Sequence, residues 1–253
     1  MIDISTHILP GCGDGPESMS PSVEMARKFS AAGISAVFAT PHHKNGKYDN
    51  FKQDILLNTE RLNAELQQED IPLTVYPGQK TKIYGDLIAD IDNGEILPLN
   101  DGKYLLLELP YDHVPKYTEQ LLYDLQIKGL IPILAGLEHN PQIMEQPDLL
   151  YELVRRGALT MIGTSSIMGD HKRNIQRFSL QMIDSNLAHF ISTNHNGSRE
   201  ALQLSKAYDI IEKKLGKDTE FLFRENPQYV IEGTSILKDA PQRIKKKKSL
   251  GIF

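Results

Sequence analysis

The chain alternates short apolar runs with amphipathic segments seven times, and that rhythm limits its fold more than any other feature. The runs fall at residues 2–4, 34–40, 71–76, 104–108, 131–135, 158–162 and 188–191. Each is short and rich in Ile, Val and Leu, as buried strands are. Between them lie helical patterns. Ser20 as N-cap and Pro21 at the first helical position open one that Gly33 closes. Ile55, Leu56, Leu62 and Leu66 mark one face of the next. Others cover 84–93, start at Pro115 and end at Gly129, lie around 149–156, and lie near 172–186. Two further helices are predicted at roughly 199–215 and 218–224.

Strands alternating with helices specify a parallel sheet clothed by helices. Right-handed crossovers curl seven such units into a barrel rather than leave long edges exposed. The predicted fold is therefore α/β, a distorted seven-unit (β/α) barrel, and 253 residues suit it. No composition break divides residues 1–242, which read as one domain. Residues 243–253 form a basic tail whose lysines 245–248 cannot be buried without partners. The tail is predicted to be solvated, with Ile252 or Phe253 docking on a neighbouring subunit if it docks at all.

A formal charge of −5 and the absence of tryptophan give no reason to expect nucleic acid. The single cysteine, Cys12, excludes an internal disulfide and a thiolate cluster. No apolar stretch approaches the roughly 18–20 residues of a membrane span, and the N-terminus does not resemble a signal peptide. These features predict a cytoplasmic protein.

Barrel chemistry sits beyond the C-terminal ends of the strands, and here those exits are unusually polar. The first carries His7, and a loop punctuated by Pro10, Gly11, Gly13 and Gly15 brings Asp14 back toward it. The others carry His42 and His43, Lys80, Glu108, Glu138 and His139, Ser165 and Ser166, and His195. His113, His171 and His189 read as surface or packing residues. Imidazole with carboxylate is a ligand set for Zn, Mn or Fe. No P-loop or nucleophile elbow competes with that reading.

The exits resemble those of the PHP-domain (polymerase and histidinol phosphatase) protein-tyrosine phosphatases of capsule and exopolysaccharide production, the CpsB/CapC/YwqE type. The resemblance runs through Met1-Ile-Asp-Ile, His7-Ile-Leu-Pro10, Asp14-Gly15, Ala39-Thr-Pro-His-His43, Pro77-Gly-Gln79, Asp112-His-Val-Pro115 and the basic–aromatic ending. It implies a seven-unit barrel with up to three metal ions, typically manganese, and hydrolysis of phosphotyrosine on a partner kinase. Several ligand positions of that pattern are changed. Ser5 stands for the first histidine of His-x-His, Lys80 for the glutamate of Gly-Gln-Glu, and Gly136 for the histidine of His-Pro-Glu-Arg-Asn. Thr193 precedes Asn194 and His195 in a segment one residue short that lacks the family's aspartate. The resemblance assigns Asp14, His42 and His195 to one ion, leaves His7 and Glu108 as remnant ligands, and places His139 where an arginine would contact phosphate.

At most one divalent ion (Mn, Zn or Fe), or none, is expected. The first expectation is a catalytically impaired pseudophosphatase, a binding or regulatory module for a tyrosine kinase or its phosphotyrosine tail in polysaccharide production, with self-association compatible. The alternative is an active manganese-dependent protein-tyrosine phosphatase with a reduced metal site that recruits His43 or His139. Lys80 is expected within about 4 Å of Glu108, its ammonium replacing a lost ion.

Overall fold

The structure, a computed structural model, describes residues 1–193 and 203–245 in full and 201–202 as backbone. Its strands are β1 (Ile2–Thr6), β2 (Ala36–Ala39), β3 (His42–His43), β4 (Thr74–Pro77), β5 (Lys80–Lys82), β6 (Tyr104–Glu108), β7 (Ile131–Ala135), β8 (Leu159–Gly163) and β9 (Phe190–Ser192). Its helices are α1 (Met19–Ala31), α2 (Lys52–Gln68), α3 (Leu87–Asp92), α4 (Thr118–Ile127), α5 (Pro141–Glu145), α6 (Pro147–Arg155), α7 (Thr164–Met168), α8 (Arg173–Asp184), α9 (Ala201–Leu215) and α10 (Lys217–Glu232). Short 3-10 turns occur at Leu99–Asp101 and Leu137–His139.

All ladders are parallel, in the orders β1-β2-β4 and β3-β5-β6-β7-β8-β9. Two of the expected strands are broken. Pro41 has no N–H to donate, so β2 stops and β3 resumes after it, while Gly78-Gln79 separates β4 from β5. Counting β2/β3 and β4/β5 as single courses restores seven strand units.

The barrel's seam lies between β1 and β9. Among the described residues no ladder joins these two strands; side chains do. Asp3, wholly buried, accepts hydrogen bonds from Ser192 Oγ (2.5 Å), Thr193 Oγ1 (2.6 Å) and the backbone N–H groups of Thr193 (3.1 Å) and Ser5 (3.2 Å). Ser192 Oγ also lies 2.7 Å from the Ser5 carbonyl. Thr193, a position at which the resemblance implies a lost ligand, is thus part of the seam.

Strand parity explains why the apolar runs are continuous. Ile4, Phe38, Leu106, Ile133, Met161 and Phe190 fill the interior. Their neighbours Val37, Leu105, Leu107, Leu134, Ile162 and Ile191 face outward into the layer of Phe29, Leu62, Leu125 and Met182. Both faces are buried, as parallel sheets require.

Helix boundaries move by small amounts. Ser18, not Ser20, precedes α1, so Pro21 occupies the third position, still in the first turn where no donor is needed. Helix α10 does not stop at 224 but continues through Pro227 to Glu232. Phe223, Asn226 and Val230 on that stretch are buried, and Asn226 donates to the His189 carbonyl (3.1 Å) and accepts from Leu237 N (2.9 Å). Tertiary packing outweighs the lost proline donor. Of the tail, Arg243 stacks on Tyr151 and pairs with Asp148 and Glu152; Ile252 and Phe253 lie outside the described residues.

Two predictions follow from burial. Asp3→Ala removes the acceptor of the seam's buried donors and lowers the unfolding free energy in denaturant titration by about 3–5 kcal/mol. Asp3→Asn, which keeps one carbonyl acceptor, costs less. His189 is the second case. Burial holds its pKa near 3 against an ordinary 6.5, and its Nδ1 accepts from Thr160 N (3.1 Å). A depressed histidine stabilises the fold above its unfolded pKa and loses that contribution as pH falls. Between about pH 7.5 and 5.5 this amounts to about 1 kcal/mol, absent in His189→Gln.

Candidate metal centre

The C-terminal strand ends deliver the site. The loop after β1 turns so tightly that a Cβ at Gly15 would lie 2.6 Å from the Leu9 carbonyl and 3.0 Å from those of Cys12 and His7. Only glycine permits this turn, and the turn sets the Asp14 carboxylate 2.5 Å from His7 Nδ1. Pro41 displaces the chain so that β3 carries His42 beside His7, their ring centroids 4.9 Å apart. His42 Nδ1 is bound to Glu108 Oε2 at the end of β6 (2.9 Å), which leaves its Nε2 for a ligand. The donor atoms of His7, Asp14 and His42 lie within 4.8 Å of one another. Two imidazoles and a carboxylate are the chemistry of a three-ligand site for one divalent ion.

Lys80 occupies the middle of this mouth. It is 1% exposed, with Nζ 3.1 Å from His7 Nε2 and 3.7 Å from Glu108 Oε1. The expected pairing with Glu108 is present, and a contact with His7 that the sequence did not suggest accompanies it. An ammonium only donates, so His7 Nε2 accepts from it, and the neutral ring's Nδ1 carries the hydrogen that points at Asp14. Burial holds the His7 pKa near 4, with the charges of Lys80 and His42 adding to the effect and Asp14 opposing it. The His7 contact lowers the Asp14 pKa. Burial raises that of Glu108, but the His42 hydrogen bond and the Lys80 charge outweigh it, and the net shift is downward. Burial pulls the Lys80 pKa down against the opposing pull of Glu108 and Asp14. Two anions, one ammonium and two imidazoles thus satisfy one another without a second ion.

The remaining sequence candidates separate. Ser5 is buried with Oγ 2.8 Å from Thr40 Oγ1. Gly136 adopts a left-handed backbone (φ 73°) that favours glycine, so a ligand side chain there would meet strain. It lines, with Glu108, Ala135, Tyr111, Lys82 and His139, a cleft of about 340 Å³ beside the trio. His43 is fully buried against Phe51 and stands outside the trio. His195 lies outside the described residues, and His7 completes the group with Asp14 and His42. His171, read from sequence as surface or packing, is exposed and lies edge-on to His139, centroids 4.8 Å apart. No periodic signal marks it, since it follows a helix of five residues.

The profile of a family described as "Capsular polysaccharide synthesis, CpsB/CapC" matches residues 1–232. The chain belongs to this family. It is 41% identical to the tyrosine-protein phosphatase YwqE of Bacillus subtilis and 38% identical to the putative tyrosine-protein phosphatase CapC of Staphylococcus aureus, covering all of both chains in each case. A solved structure from work on YwqE of Bacillus subtilis and CpsB of Streptococcus pneumoniae, described as metal-dependent tyrosine phosphatases, superposes with TM-score 0.92 at 40% identity. It covers 97% of this chain and 100% of the other. These family members are named as phosphatases, which favours the second sequence expectation, an active enzyme, over the pseudophosphatase. Among the described residues no helix is long and apolar enough to cross a membrane.

Replacing the internal cation tests its role. Lys80→Glu places a second carboxylate beside Glu108 and should destabilise chelator-treated protein by roughly 1–3 kcal/mol in thermal or denaturant unfolding. Added Mn²⁺ should partly restore the loss. Equal stability of parent and variant in chelator would show that the Lys80 pair carries none of the mouth's stability.

Proposed function

We propose that this chain is a metal-dependent protein-tyrosine phosphatase that works with a single-ion site and acts on the phosphotyrosine of a tyrosine kinase in polysaccharide production. One observation carries the reading: His7, Asp14 and His42 keep their donor atoms within 4.8 Å in a mouth where Ser5, Lys80, Gly136 and Thr193 stand at changed ligand positions. The names of the family members supply the reaction class. A divalent ion bound by the trio would supply Lewis acidity toward a phosphoryl oxygen. The chain's own residues do the rest. Lys80 provides fixed positive charge where a phosphoryl group gains negative charge. Glu108 holds the His42 ring by its Nδ1 and so aims Nε2. The cleft beside the trio, with Tyr111 exposed at its rim and Lys82 in its wall, suits an aromatic phosphate monoester.

Protein purified without chelator should carry about one ion per chain and hydrolyse a phosphotyrosine peptide in added Mn²⁺. Asp14→Asn and His42→Ala should lower that rate by about 100-fold or more, since even a group behind a metal ligand is worth roughly 10–100-fold. A second reading, a module that binds phosphotyrosine without cleaving it, is favoured by the Lys80 ammonium standing 3.1 Å from His7 Nε2. Peptide binding with no Mn²⁺-dependent turnover would select it.

A further inference from the structure

The loop after β7 and the start of α7 contain a hydrogen-bonded chain that leads from a buried acid to the rim of the cleft. Glu138 is 1% exposed, and its Oε1 accepts from Gly163 N (2.9 Å) and from Ser166 Oγ (3.1 Å). Ser166 Oγ also lies 3.0 Å from His139 Nε2. A carboxylate only accepts, so the single hydroxyl proton of Ser166 goes to Glu138. Ser166 Oγ must then accept from His139, and Nε2 is the nitrogen that carries hydrogen. In the neutral ring this leaves the lone pair on Nδ1. His139 lines the cleft with Glu108, so that lone pair belongs to a ring facing the substrate space. The arrangement has the logic of a nucleophile-activating imidazole whose tautomer is fixed from behind by a carboxylate, with a serine inserted between them.

We propose that His139 is the general base of this cleft and that Glu138 and Ser166 are its positioning residues. The proposal rests on the phosphatase reading and assigns to this ring a task that an arginine, which has no lone pair, cannot perform. In the step, the oxygen of a water molecule bonds to phosphorus while the bond from phosphorus to the tyrosine ring oxygen breaks. The water's proton passes to His139 Nδ1. The electron pair of the broken bond leaves on the phenolate, which takes a proton from solvent, and the imidazolium returns its proton to solvent. Tyrosine and phosphate are the products. Glu138 stabilises the transient positive ring through Ser166, and its Oε1 also lies 3.7 Å from His139 Nε2. His171, held by Ser165 (Oγ to Nε2 3.1 Å), walls the ring's other side.

The test uses the full chain, loaded with Mn²⁺ for turnover of a phosphotyrosine peptide and free of that paramagnetic ion for nitrogen-15 NMR of the histidine rings. The parent should show His139 as the Nε2–H tautomer. His139→Gln and His139→Arg should both lower kcat by about 100-fold, within the roughly 10²–10⁴-fold worth of general-base catalysis, while KM changes little. Ser166→Ala should lower kcat by about 10-fold and scramble the tautomer; Glu138→Gln should do the same wherever its melting curve shows it folded. A His139→Arg variant as fast as the parent would overturn the proposal, because it would mean that position 139 only contacts phosphate. So would an Nδ1–H tautomer in the parent. A parent that binds Mn²⁺ but hydrolyses nothing would overturn the phosphatase reading itself, a different outcome from hydrolysis indifferent to position 139.

Discussion

The mouth of this barrel exists because a buried carboxylate joins the first strand to the last. Nothing in a parallel sheet of seven units requires its two edges to meet, and unpaired edges invite other chains. Asp3 meets that need with four hydrogen bonds, three of them from the Ser192 and Thr193 side. Full burial raises its pKa, since removal from water penalises the charged form, while the hydrogen bonds from Ser192, Thr193 and Ser5 pull the other way. The return is geometric. With β1 tied to β2 by its ladder and to β9 by Asp3, the exit that carries His7 and Asp14 is held beside β3, β5 and β6, where His42, Lys80 and Glu108 stand.

Lys80 then decides what the mouth can hold. A lysine in the interior is costly unless its charge is answered, and here Glu108 and His7 both answer it. The same ammonium that completes the pair repels any cation between His7 Nε2 and Glu108. The space left for an ion is on the Asp14 and His42 side, and His7 can join it only by giving up its contact with Lys80 or with Asp14. A glutamate at this position would leave acids facing one another without a cation. The substitution is thus consistent with a mouth that keeps its shape when no second ion is present.

Much of this was legible in the sequence, for identifiable reasons. Buried parallel strands advertise themselves as continuous apolar runs, and capping glycines and prolines bound the helices between them, so the seven-unit order could be read directly. Lys80 near Glu108 could also be read, because their strand exits are adjacent. Three things could not. The breaks at Pro41 and Gly78 depend on which donors a neighbouring strand needs. Continuation of α10 through Pro227 depends on Phe223, Asn226 and Val230 finding a buried surface. The approach of His171 to His139 depends on how a five-residue helix turns its chain. Each is a tertiary fact with no local period.

The changes at the mouth are easier to understand together than singly. Phosphoryl transfer from a monoester dianion asks for positive charge around the phosphoryl oxygens and for a group that can take a proton from the attacking water. With several metal ions, both come from the ions, and an arginine is free to serve as a further fixed charge. With one ion the two tasks must be divided. Lys80 supplies a charge that cannot leave with a chelator, and it does so from within the fold. On the proposal above, His139 supplies a lone pair whose orientation Ser166 and Glu138 set. An arginine at position 139 would add charge but take no proton, so a histidine there fits the one-ion site proposed above. The left-handed backbone of Gly136 lets the chain turn from β7 into the 3-10 turn that carries Glu138 and His139.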